Sequence, residues 1–194
     1  MKEVTIEQAG EYLEKGGVVI YPTETAYGIG CDATNSEAVD LIFKIKQRPR
    51  ELTLPVIFGD LIMAKKYVSF NDQEMELAKK YWPGPLTLVV VAKSGLASGC
   101  LAKDGTVALR VPGNVLAQKL SLQLGKPIVS TSANLTGQEE IYSVQELQNK
   151  FGEEIYVVNG GILPQHLPST IVRINKNGET QVLRQGEIKL ETLL

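Results

Sequence analysis

Four stretches of the chain carry side chains that could do chemistry. In "VVIYPTETAYGIGCDA" an apolar run from Val18 breaks at Tyr21-Pro22 and gives way to Thr23, Glu24 and Thr25. Hydroxyls at a strand exit stand where open α/β sheets take their ligands, though the same residues also cap turns. In "KIKQRPR" four cations, Lys44, Lys46, Arg48 and Arg50, gather at a helix exit. The helix dipole favours cations there by about 0.3–1 kcal/mol. They also suit phosphates, to which Arg offers a planar fork and Lys a point charge. Arg110 lies inside the apolar "TVALRVP"; facing a core it needs an internal acid or a ligand anion, and facing solvent it needs nothing. Finally, "PIVSTSANLTG" runs from an apolar strand into Ser130, Thr131, Ser132 and Asn134, a dense set of donors and acceptors.

Other chemistries fit poorly. A serine nucleophile wants a base, and the single histidine, His166, sits in a proline-flanked loop. The two cysteines, Cys31 and Cys100, form no CxxC pair and with one histidine leave zinc without ligands; a reduced thiol pair is expected. Gly28, Gly30 and Ala33 match G-x-G-x-x-A. However, the next helix starts several residues later, and "KQRPRE" stands where an acidic ribose ligand belongs. No G-x-x-x-x-G-K-[ST] occurs either. The two glycines read instead as a sharp turn or a close backbone approach. What remains is a pocket for a small anionic substrate beside a polyphosphate, without a covalent nucleophile.

The elements that must position these residues are legible as patterns. Thr5 and Gln8 form a capping box for a helix ending near Gly16-Gly17. Residues 18–22 read as a strand. A helix through "EAVDLIFKIK" puts Ala38, Leu41, Ile42 and Ile45 on one face and stops before Pro49. "LPVIF" is a buried strand, with helices expected near 60–66 and 72–80. "LTLVVVA", "VALRV" and "PIVST" read as strands, and "NVLAQKLSLQLG" as a helix closed by Gly125. "SVQELQNKF" reads as a helix, and "IYVV", "STIVRI" and "QVLR" as late strands. Interleaved helices and strands predict an α/β fold: one domain over 1–194, with a twisted, partly parallel sheet flanked by helices.

At 194 residues the chain is long enough to bury a real core. A net charge of −2 gives no support to a nucleic-acid or anionic-membrane binder, beyond what a local basic patch could provide. The N-terminus has no apolar signal core and the longest apolar run is far too short to span a bilayer, so a cytoplasmic protein without membrane contact is expected.

"YPTETAYGIGCDA", "KIKQRP", "YWPGPLTLVV", "VALRVP", "PIVSTSAN" and "PSTIVRI" follow one another in the order and approximate spacing of the YrdC/TsaC family. The resemblance runs from about residue 5 to 186 and is to the short, single-domain form. It implies a threonylcarbamoyl-AMP synthase, which joins L-threonine, bicarbonate and ATP and releases pyrophosphate. Partner proteins then transfer the threonylcarbamoyl group to an adenosine of tRNA. By this similarity Lys46 and Arg48 contact the ATP phosphates and are the catalytic pair. Thr23, Arg110, Ser130 and Ser169 hold L-threonine, with Arg110 on its carboxylate. Ser132, Asn134, Arg184 and the Thr106 backbone contact the nucleotide. Mg²⁺ is expected on the ATP phosphates, with no protein-held metal site. "PRELTLPV" departs from the family's loop after the arginine and leaves Thr53 unassigned. The resemblance also leaves room for a weak tRNA contact. An RNA-binding module of the same fold, with "KIKQRPR" contributing to a basic surface, and a carbamoyltransferase are the alternatives.

Overall fold

The computed structural model describes residues 1–135, 137–151 and 155–189. The chain opens with β1 (Lys2–Glu3) and α1 (Ile6–Glu14). Thr5 caps α1 as expected: its hydroxyl accepts from the Gln8 backbone N–H while the Gln8 side chain accepts from the Thr5 N–H. There follow β2 (Val19–Pro22), β3 (Tyr27–Gly30), α2 (Ser36–Lys46), β4 (Val56–Ile57), α3 (Leu61–Tyr67), β5 (Val68–Ser69), α4 (Asp72–Tyr81) and β6 (Leu86–Ala92). Then come β7 (Thr106–Arg110), α5 (Val115–Leu124), β8 (Ile128–Val129), β9 (Thr131–Ser132), α6 (Val144–Phe151), β10 (Tyr156–Val157), β11 (Thr170–Ile174) and β12 (Thr180–Arg184).

The α/β class with mixed pairing is as expected, but the strands divide between two sheets. The first has the order β1-β10-β2-β3-β9, and the second β12-β11-β6-β7-β4-β8, with β5 added on β6. Apolar runs with no polar alternation follow from this, because strands buried on both faces need apolar residues on both. In β2, Ile20 joins the large core, whereas Val19 and Tyr21 pack with Ala9 and Leu13 of α1 and Leu120 and Leu124 of α5. In β6, Leu86, Leu88 and Val90 point into the large core. In β7, Val107 and Leu109 do so. Ala108 and Arg110 are therefore left on the opposite face of the second sheet.

Two readings need correction. Tyr27–Gly30 is a strand and not a turn; its φ angles lie outside the left-handed region. It pairs antiparallel with β2 and β9, placing Gly28 opposite Tyr21 and Ser132. The close approach holds at Gly30, where a Cβ would lie 1.9 Å from the Val129 carbonyl oxygen; at Gly28 the nearest atom would be 3.5 Å away. In α2 the apolar face is rotated: Ala38, Val39, Ile42 and Phe43 are buried, with Lys46 among them, while Leu41 is 40% exposed.

Candidate active site

The unpacked face of the second sheet and the β3–β9 edge of the first enclose a cleft of about 400 Å³. This is within the range of about 300–1,000 Å³ usual for small-molecule sites. Thr23, Arg48, Arg110, Ser130, Ser132, Ser169 and Arg184 all line it. Seven of the ten residues to which the family resemblance gives a role thus share one cavity, drawn from six separate parts of the chain.

The end of α2 explains how the basic stretch divides. Gln47 takes a left-handed conformation (φ 48°) as C-cap, and Arg48 N–H closes onto the Phe43 carbonyl at 3.0 Å. Lys44 and Arg50 stay exposed, Arg50 pairing with Asp40 and lying over the Phe43 ring. Lys46 turns inward and is 2% exposed. Its Nζ donates to the Ser132 and Asn134 carbonyls at 2.6 Å each and to Asn134 Oδ1 at 3.1 Å. It lies behind the cleft wall, not on it. Burial pushes its ammonium down to about 8, with Arg48 acting the same way and Glu140 opposing. Arg48 enters the cleft but donates from Nε to the Leu52 carbonyl (2.9 Å) and from Nη2 to the Thr53 carbonyl (3.0 Å). Thr53, unassigned from the sequence, lines the cleft through this loop.

Asn134 is buried beside Lys46, accepting from Ser132 Oγ at 2.7 Å and donating from Nδ2 to the Gln138 carbonyl at 2.6 Å. It braces the Ser132 segment from behind. Thr106 stands outside the cleft. It begins β7 while Arg110 ends it, four residues away or roughly 13 Å along a strand. Its N–H donates to Asp104 Oδ1 and its carbonyl accepts from Ala102 N–H.

At the other end, the Thr23 hydroxyl is held by its own turn. It donates to the Ala26 carbonyl (2.7 Å) and accepts from the backbone N–H groups of Thr25 and Ala26, both at 3.2 Å. The turn-capping reading and the cleft-lining reading are both realised here. Arg110, 8% exposed, forms an ion pair with Glu24 and reaches Thr25 Oγ1 at 3.5 Å. The internal acid that a buried guanidinium requires is therefore Glu24, 86 residues away in sequence. Ser169 Oγ hydrogen-bonds Thr87 Oγ1 at 2.8 Å, and Arg184 forks onto Ser169, donating to its carbonyl (2.8 and 3.1 Å) and its hydroxyl (3.0 Å). Behind Ser169, the Thr170 hydroxyl donates to the Ile188 carbonyl and accepts from the N–H groups of Gly186 and Ile188.

Sequence reasoning missed Thr87 and Glu140, both of which line the cleft. A lone threonine within "LTLVVVA" was the available signal for Thr87, because a hydroxyl in a doubly buried strand needs a partner. Glu140 carries no such signal. It is the one acidic residue among the described residues lining the cleft. Among the described residues no group of three or more His, Cys, Asp or Glu comes together. His166 lies at the surface near Glu187, away from the cleft. Gly28 and Gly30 lie within a strand and not at the helix start where a dinucleotide fingerprint places its glycines.

The chain is similar to known proteins along nearly its whole length. A model of the Sua5/YciO/YrdC family, described as telomere recombination, matches residues 11–186. The threonylcarbamoyl-AMP synthase of Vibrio vulnificus is 38% identical over 186 residues, spanning 93% of this chain and 98% of its own. A solved structure of P. abyssi Sua5 complexed with L-threonine superposes with a TM-score of 0.90 at 30% identity; it covers 98% of this chain, which spans 58% of that longer protein. E. coli YciO superposes with a TM-score of 0.87 at 30% identity, covering 97% of this chain and 92% of its own. The chain belongs to the Sua5/YciO/YrdC family.

Proposed function

We propose that this protein makes L-threonylcarbamoyl-AMP from L-threonine, bicarbonate and ATP, releasing pyrophosphate, as a step toward threonylcarbamoyl-adenosine in tRNA. The observation that carries the reading is one cleft lined together by Arg48, Arg110 and Arg184 and by the hydroxyls of Thr23, Ser130, Ser132 and Ser169. The curated relatives named threonylcarbamoyl-AMP synthase support it, as does the L-threonine complex of the related archaeal protein.

In this reading Arg110 holds the threonine carboxylate, with Thr23, Ser130 and Ser169 shaping the rest of that pocket. The deprotonated amine adds to carbon dioxide with loss of a proton, or to bicarbonate with loss of water, to give a carbamate; a carbamate oxygen then attacks the α-phosphorus of ATP as the bond to pyrophosphate breaks. The nucleophile belongs to the substrate, so the protein supplies orientation and charge neutralisation. Arg48 meets the phosphates directly. Lys46 holds Ser132 and Asn134 in place and adds its charge from behind the wall, and Arg184 closes the nucleotide side. The residues present suit Mg²⁺ carried on the polyphosphate, with Glu140 the nearest acidic side chain in the cleft, better than a protein cage. Among the described residues no helix is long and apolar enough to cross a membrane, and a cytoplasmic site of action fits this role. The product passes to separate proteins that transfer it to tRNA, and contact with tRNA itself is weak.

Pyrophosphate release measured without RNA tests the reading. It should require L-threonine and bicarbonate together. Release with carbamoyl phosphate in place of both would favour carbamoyl transfer, and RNA binding without any release would favour an RNA-binding module.

A further inference from the structure

The Arg110–Glu24 pair has a feature that ion pairing alone leaves unexplained. One Glu24 oxygen, Oε1, contacts Arg110 Nη1. The other, Oε2, is buried and meets no donor among the described residues. A desolvated carboxylate oxygen without a donor is costly, and native structures rarely keep one unless it has a use. Arg110, Thr23 and Thr25 line the cleft, and Glu24 stands directly behind them, so it meets a ligand only where Arg110 yields part of its contact. The other carboxylate nearby, Glu140, acts on Lys46 and Arg184 at the phosphate end.

An α-amino acid carries its carboxylate and its ammonium on one carbon. A neighbouring cation and carboxylate can therefore meet both charges of one ligand. Resting on the threonine reading of this cleft, we infer that Glu24 is the group that recognises the substrate nitrogen, so that Arg110 and Glu24 together read the two charges of L-threonine. Arg110 gives up part of its contact with Glu24 to the incoming carboxylate, and the Glu24 carboxylate accepts an N–H of the ammonium. Forming the carbamate removes two hydrogens from the nitrogen, both as protons to solvent with carbon dioxide or one of them in the water lost with bicarbonate; the nitrogen keeps one N–H and the contact persists. Glu24 thereby fixes which way the carbamate oxygens point, toward the phosphates held by Arg48. This makes Glu24 a specificity and positioning residue for the amine and assigns it no part in bond making.

The test is Glu24→Gln, which keeps the shape and removes the charge. The Michaelis constant for L-threonine should rise roughly 10- to 100-fold, the range of a charge-assisted hydrogen bond, while that for ATP stays within about twofold. Inhibition by (R)-3-hydroxybutanoate, which keeps the carboxylate and hydroxyl but lacks the amine, should be weak in the wild type and no weaker in the variant. Unchanged or tighter L-threonine binding by Glu24→Gln would overturn the assignment and make Glu24 a resting competitor for Arg110. Equal losses for L-threonine and ATP would overturn it as well. If the variant fails to fold, wild-type protein decides: equal affinity for L-threonine and the deaminated acid removes any role for an amine partner. Wild-type protein with no L-threonine-dependent pyrophosphate release would bring down the inference together with the reading beneath it.

Discussion

Arg110 has an answer in the structure that its sequence context left open. Period-two alternation puts it on the cleft face of β7 with Ala108, where Glu24 meets it. Arg110→Ala should abolish measurable L-threonine binding by calorimetry while a nonhydrolysable ATP analogue still binds within about threefold of wild type. The variant should also lose stability, by about 1–3 kcal/mol, because it leaves the half-buried Glu24 without its counter-charge. Lys46 supplies a second prediction. Its ammonium is lowered to about 8 mainly by burial, so the charged form is lost as pH rises through that value. The kcat/KM for ATP should therefore fall along an alkaline limb near pH 8, with L-threonine binding in the resting protein much less affected. A flat profile to pH 9.5 would remove Lys46 from the phosphate charge balance. The sequence announced Arg110 as a cation among apolar neighbours and Lys46 as one of a basic cluster at a helix exit. It could not announce their partners, because Glu24 and the Ser132–Asn134 carbonyls approach only through chain separations of more than 80 residues.

Strands and helices were legible where periodicity or capping chemistry was strong. The capping box at Thr5, the left-handed Gly125 after α5 and the apolar β6 all lie where the residues direct them. Tyr27–Gly30 escaped because two glycines carry no strand propensity of their own; tertiary pairing on both sides overrides it. That pairing predicts opposite outcomes for the two glycines. Gly30→Ala drives a methyl into the Val129 carbonyl and should cost several kcal/mol, enough to leave the protein largely insoluble. Gly28→Ala meets its neighbours at ordinary contact distance, so the thermal midpoint should hardly move, although a methyl then projects toward the cleft. Comparable melting of the two variants would show that Gly30 has room the geometry denies. The apolar face of α2 was misjudged for a related reason: Phe43 and Val39 pack against the Gly99 backbone, a contact no local pattern reveals.

The division into two sheets was the least legible level, since short strands at similar spacing do not say which sheet they join. It matters because the cleft is walled by both, and its ligands must bridge them. Ligands that bind only the folded protein stabilise it by mass action, about 2.7 kcal/mol at a hundredfold excess over Kd. For a chain of this length that corresponds to a rise in thermal midpoint of roughly 5–10 °C. Scanning calorimetry should show this rise with L-threonine and an ATP analogue present together, and no such rise with L-serine lacking the analogue. The hydroxyl of Thr170, engaged by Gly186 and Ile188, adds a last consequence. It works as a rivet, pinning the returning tail onto the strand that begins beside Ser169. A fragment cut after Gln185 would retain every residue facing the cavity and still lose the rivet. With Ser169 and the Arg184 fork no longer held to one spacing, such a fragment would keep a full set of contacts and lack the rigidity to present them to the amino acid at once.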